Sequence, residues 1–220
     1  MAPAAPSTAP AAERQWFIVG RWQEYEGEAR ANLLRVLAVA AFYGIELINY
    51  HGLELGALQL PRVESVSQPF HMAVTALAVV WTLAALGIAL CLRQRVFPWS
   101  LKFLSTGIDL VLLTWILALA GGPRSPLLVG YFLVVCLSGL RFNLSLVWFA
   151  TGGAVAGYLF LLGYVAWYGS AELRVPRYYE LIFLLALVLC GVLIGQVLRR
   201  VRRLAEDYAR RLTALPGGPP

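Results

Sequence analysis

LKFLSTGIDLVLLTWILALA, residues 101–120, is the stretch whose reading decides the fold. It matches the ~17–25 residues that an apolar helix needs to cross a bilayer. Near its middle stands Asp109, a residue that costs about 2.5–3.5 kcal/mol at the centre of a membrane helix. Lys102, Ser105, Thr106 and Asp109 lie 3, 4 and 7 places apart, so they stripe one helical face. That stripe is expected to face a bundle interior, with Asp109 neutral or hydrogen-bonded to another helix. A proton or cation path would need further ionisable groups at that depth, and the other apolar runs offer few.

Working outward, five more apolar runs follow the same logic: 32–51, 70–92, 126–141, 144–168 and 178–199. The fourth in chain order, PLLVGYFLVVCLSGLR at 126–141, is short for a span and predicts a helix standing upright or shielded by its neighbours. Only 14% of the 220 residues are charged, against roughly a quarter in soluble proteins, and mean hydropathy is +0.69. The expected fold is all-α and polytopic, with six transmembrane helices. Fourteen of the 18 Lys and Arg residues fall on one side of such a bundle and four on the other. The positive-inside bias therefore predicts both termini in the cytoplasm. The net charge of +6 is accounted for by that bias and by contact with anionic lipid, so no nucleic-acid partner is implied.

The flanks divide accordingly. Residues 1–12, MAPAAPSTAPAA, lack the basic start and apolar centre of a signal peptide and read as a disordered tail. Residues 13–31 mix Trp16, Phe17, Trp22 and Tyr25 with both signs of charge. This is the pattern of an amphipathic helix in the inner interface or of one docked on a partner. The membrane domain covers 32–200, and 201–220 form a cytoplasmic helix and tail. Leu198, Val201, Ala205, Tyr208, Leu212 and Leu215 are spaced 3, 4, 3, 4, 3, an a/d seam of about two and a half heptads. Two readings are open: a dimeric coiled coil, or a single helix snorkelling its arginines along the inner leaflet. Gly153 with Gly157, and Gly191 with Gly195, are GxxxG pairs that let helices approach closely, within one bundle or between copies. Cys91, Cys136 and Cys190 lie inside spans without a CxxC pair and read as packing residues. Tyr50, Trp115, Trp167, Tyr168, Tyr178 and Tyr179 gather near outer ends as an aromatic belt.

IELINYHG, residues 45–52, holds the other polar cluster. Glu46, Asn49 and Tyr50 share a face at i, i+3 and i+4, whereas His51 lies about 140° around from Glu46. His71 opens the next span at a similar depth, with Thr75 one turn below it. Glu46, His51 and His71 converge if the two spans pair, and three uses then stand open. They are polar trim, a small-ligand or pH-sensing pocket, or a metal site for Zn or Cu, with a haem gripped by His51 and His71 as a variant. No phosphate loop, GxSxG or HExxH occurs, so no enzyme is expected.

RWQEYEGEARANLLRV (21–36), FYGIELINYHG (42–52), PRSPLLVGYFLVV (123–135) and GQVLRRVRRLAEDYARRL (195–212) resemble the amino-terminal six-helix membrane modules of bacterial signalling proteins. In that group the modules precede adenylate-cyclase, kinase or phosphatase domains. The likeness spans nearly the whole chain, which ends where an output domain would begin. It implies a bacterial inner-membrane sensor or regulatory module, alone, shortened, or passing its signal to a separate partner. Glu46, His51 and His71 would be the input, with Asn49 a further ligand-binding candidate, and residues 197–215 the output. The alternatives are an accessory subunit of a larger membrane complex and a small transporter using Asp109. A homodimer or a larger assembly in the bilayer is expected in either of the first two cases.

Overall fold

The structure, a computed structural model, describes residues 9–55, 58–60, 68–94, 100–169 and 173–214, with side chains described over 25–52, 68–94, 100–169 and 173–207. Six helices carry it: α1 Ala9–His51, α2 Gln68–Arg93, α3 Leu101–Leu119, α4 Val129–Gly139, α5 Leu144–Tyr168 and α6 Arg177–Ala214. A hairpin of two three-residue strands, β1 Leu53–Leu55 and β2 Leu58–Leu60, sits in the connection between α1 and α2. The chain runs up and down, so His51, His71, the turn at Gly121–Ser125 and the start of α6 share one end. The turn at Leu140–Asn143 lies at the other. These are called the His71 end and the Arg141 end.

Among the described residues, five helices are long and apolar enough to cross a membrane: Tyr25–His51, Gln68–Arg93, Leu101–Leu119, Leu144–Tyr168 and Arg177–Asp207. The expected sixth, at 126–141, does not reach that length; its apolar helix covers only Pro126–Gly139. Local chemistry cuts it at both ends. Ser125 accepts a bond from the Leu127 N–H and opens a 3-10 turn over Pro126–Leu128, which leaves α4 with 11 residues and a rise of about 17 Å. Beyond Gly139 the chain turns through Phe142 at φ 50°, a left-handed conformation uncommon for a residue with a side chain. Asn143 then caps α5 by accepting from the Leu146 N–H. α4 survives because its neighbours shield it: Tyr131 and Val135 are fully buried in a core shared with α3, α5 and α6.

The packing glycines work inside this bundle. A Cβ on Gly153 would strike Leu110 of α3, and one on Gly157 would strike Thr114 and the Tyr131 hydroxyl. A Cβ on Gly191 would run into Thr151 of α5, while Gly195 lies in ordinary contact with Leu144. Each of the four therefore meets a helix of its own chain.

The outer faces are apolar and the inner contacts are mixed. Leu33, Leu34, Val36 and Leu37 on α1 are exposed, whereas Glu28, Asn32 and Arg35 on the same helix are buried. Such an arrangement fits a lipid-facing exterior. α1 itself is unbroken at residues 31–32: the 13–31 segment and the first span form one helix that starts at Ala9, with Glu28 and Ala31 buried near the join. α6 runs 38 residues, a rise of about 57 Å, against a hydrocarbon thickness of about 30 Å. Of the expected seam, Leu198 is buried in the bundle, Val201 and Ala205 are exposed, and the side chains of Tyr208, Leu212 and Leu215 lie outside the described residues.

Candidate functional site: the polar face of α1

Glu28, Arg35 and Glu46 are 7 and 11 residues apart. At 100° per residue they fall within about 20° of one line along α1, over a rise of about 27 Å. Asn32 and Tyr50 lie about 40° off that line, each four residues after one of its acids. Each of the three meets a polar partner outside α1: Glu28 and Arg35 meet an opposite charge, and Glu46 meets an imidazole.

At the His71 end, both Glu46 carboxylate oxygens face His71 Nδ1 of α2, at 2.8 and 3.0 Å. The side chains keep 12% and 14% of their surface, so the pair is shielded but not fully buried. Tyr50 stacks on the His71 ring with centroids 3.9 Å apart and planes 3° from parallel. His51 does not join as a ligand would: its ring stands edge-on to Tyr50 at 4.8 Å and to His71 at 6.1 Å. Asn49 is half-buried and makes no hydrogen bond among the described residues. One turn below, the Tyr43 and Thr75 hydroxyls are 3.2 Å apart, a second link between α1 and α2. No group of three His, Cys, Asp or Glu among the described residues is placed to hold a metal ion, so the geometry gives a Zn or Cu site at Glu46, His51 and His71 no support.

Midway along α1, Arg35 donates through Nε and Nη2 to the two oxygens of Asp109 on α3, at 2.7 and 2.8 Å. Such two-bond pairing suits the planar guanidinium. Trp81 of α2 donates its indole N–H to the same carboxylate at 2.8 Å. Asn32 accepts from Arg35 at 2.6 Å and donates to the Ala85 carbonyl of α2 at 3.1 Å. Arg35 and Asp109 are 3% and 4% exposed, so the cost of Asp109 in an apolar run is met from two other helices, α1 and α2, at once.

At the Arg141 end, Glu28 is fully buried and Arg141 is 4% exposed. Arg141 Nη2 donates to Glu28 Oε1 at 2.8 Å, while Nε faces Oε2 at 2.7 Å. The remaining donors reach the Thr106 hydroxyl at 2.5 Å, the Ser105 hydroxyl at 3.1 Å and the Lys102 carbonyl at 3.1 Å. Ser105 also donates to Glu28 at 3.2 Å. The stripe of Lys102, Ser105, Thr106 and Asp109 thus does face inward, and all four are buried. Burial pushes the Arg141 guanidinium below its ordinary value, Glu28 and Asp109 pull it back up, and Arg35 pushes with the burial. The two inner ion pairs therefore feel one another.

Gly27 makes the approach possible. A Cβ there would stand 3.0 Å from the Leu140 carbonyl oxygen and 3.3 Å from Arg141 Cα. On the far side of the same turn, Arg202 of α6 donates to the Phe142 carbonyl. The Leu140–Asn143 turn thus touches both α1 and the extension of α6.

Sequence reasoning found Glu46, His71 and the Asp109 stripe, and missed Glu28, Asn32, Arg35, Trp81 and Arg141. The signal was present in the spacing of Glu28, Arg35 and Glu46. It was hidden because charges near span ends were read only as topology markers. The chain is an all-α bundle with several long apolar helices, consistent with a membrane-spanning arrangement. In comparisons with known proteins, no family model, no curated protein and no solved structure matches it.

Proposed function

We propose that the chain is a non-catalytic sensor or regulatory module of the bacterial inner membrane, with both termini in the cytoplasm and His71 at the outer end. Its input is the Glu46–His71–Tyr50 cluster and its output is the extension of α6. The observation that carries this reading is the row of ion-paired groups on α1. A single helix is held at the His71 end, in the middle and at the Arg141 end, and the last of these contacts adjoins the turn that binds α6 through Arg202. Histidine is the side chain that changes charge across physiological pH, and its attraction to Glu46 depends on that charge. A change at His71 would alter how firmly α1 is held at one end and bias two arrangements of α1 against the Leu140–Asn143 turn.

Proximity alone does not make a relay, so the test measures coupling. Spin labels at Leu140 and Val201, both exposed, report the distance between the turn and α6 in protein reconstituted in nanodiscs. The distance distribution is expected to shift between about pH 5 and 8 and to become pH-independent in His71→Ala and Glu46→Gln. A distribution that ignores pH in the parent protein, or that shifts equally in both variants, sinks the proposal.

A transporter built on Asp109 draws less support, because Arg35 holds both carboxylate oxygens and Trp81 shares one. It predicts proton or solute flux in liposomes that Asp109→Asn abolishes. An accessory subunit predicts a stoichiometric complex in mild detergent.

A further inference from the structure

At the His71 end, on the side away from α1, a cleft of about 340 Å³ opens between the end of α5 and the start of α6. Its floor is apolar, with Leu162 and Val165 of α5 and Val175 of the connection. Its rim carries Arg174, Arg177 and one carboxylate, Glu180. Arg124 stands one residue from Pro123, which closes the cleft on the α3–α4 side. Arg124, Arg174 and Arg177 are exposed and make no ion pair among the described residues. They are also three of the four basic residues on the side of the bundle that the positive-inside bias keeps poor in them. Topology therefore gives no reason for these charges, and no protein carboxylate among the described residues engages them.

We infer that this cleft binds the anionic headgroup of a membrane amphiphile, a phosphodiester held by Arg174 and Arg177 with an acyl chain along Leu162 and Val165. Guanidinium groups suit phosphate oxygens because their planar donors can bind two oxygens together. An apolar floor beneath a cationic rim matches a molecule with a charged head and a hydrocarbon tail, whereas a free anion would gain nothing from Leu162. Glu180 at the rim disfavours a headgroup of higher negative charge and suits one carrying a single charge. This inference does not depend on the relay along α1, which involves none of these residues.

The test uses the full chain in nanodiscs of phosphatidylcholine with or without phosphatidylglycerol, released for native mass spectrometry. The parent protein is expected to retain one phosphatidylglycerol in preference to phosphatidylcholine. Arg174→Gln with Arg177→Gln is expected to lower that retention at least about fivefold, roughly 1 kcal/mol. Leu162→Trp, which fills the floor and spares the rim, is expected to lower it as well. Unchanged helix content and elution volume show that the variants fold; if the double variant fails to fold, Arg174→Gln alone replaces it and is held to the same loss. Equal retention in the parent and folded rim variants overturns the site. Displacement of the lipid by inorganic phosphate, with Leu162→Trp silent, overturns the amphiphile and leaves a plain anion site.

Discussion

The two ends of α1 are held by the same kind of contact built from different chemistry. At the Arg141 end and in the middle, guanidinium groups meet carboxylates with almost no exposed surface, and hydroxyls, a carbonyl and an indole occupy the remaining bonds. At the His71 end an imidazole meets a carboxylate that is not fully buried. Arginine keeps its charge throughout the accessible pH range, while histidine does not. The inner pairs are thus suited to fixing position and the outer pair to being changed.

The largest test of that contrast removes an inner partner. Arg141→Met leaves Glu28 buried and unpaired, and is expected to cost about 3–5 kcal/mol in unfolding measured by denaturant titration in bicelles. Combining it with Glu28→Leu should restore most of the loss, since a matched apolar pair of similar size is often tolerated. If the single variant loses less than about 1 kcal/mol, the inner pairs are no firmer than surface bridges and the contrast collapses.

A smaller effect is expected from Gly27→Ala, about 1–3 kcal/mol, because the added carbon presses on backbone at Leu140 and Arg141 that cannot rotate away. Gly44→Ala on the same helix meets nothing within 4 Å and serves as the control, neutral or stabilising by up to about 1 kcal/mol. Equal responses from the two glycines would show that α1 does not sit closely against the turn. The smallest stability change should follow Glu46→Gln, at most about 1 kcal/mol. Ring-nitrogen NMR of His71 at a single pH should nonetheless report a changed hydrogen bond at Nδ1 in that variant. An unchanged Nδ1 signal would mean that Glu46 does not hold the ring.

Much of this was legible in the sequence for one physical reason: apolar length is a local property. Five spans, the shortness of the 126–141 run and the inward stripe ending at Asp109 all followed from counting along the chain. Glu46, His51 and His71 were expected to converge from the antiparallel geometry of two consecutive helices; Glu46 meets His71, and His51 stands edge-on beside that pair. Arg35 was not found, because it stands just inside the 32–51 run and was counted only as a topology charge, whereas this helix turns it inward. Arg141 was harder still. It stands in a turn, and its partner Glu28 is 113 residues away, a relation that no periodicity encodes. Heptad spacing also left two readings open for the end of α6; Leu198, the first residue of that seam, packs within its own bundle.

The order of signs along α1 has a further consequence. Read from its start, the helix offers acid, base, acid at Glu28, Arg35 and Glu46, and meets Arg141, Asp109 and His71 in turn. Lipid tails and leucines would let an apolar helix slide by a turn at little cost. A displacement by seven residues here would bring Arg35 to Arg141, or Glu28 to Asp109, setting like charges together where no water can screen them. The sequence of charges therefore favours the observed register of α1 over a shift of seven residues in either direction.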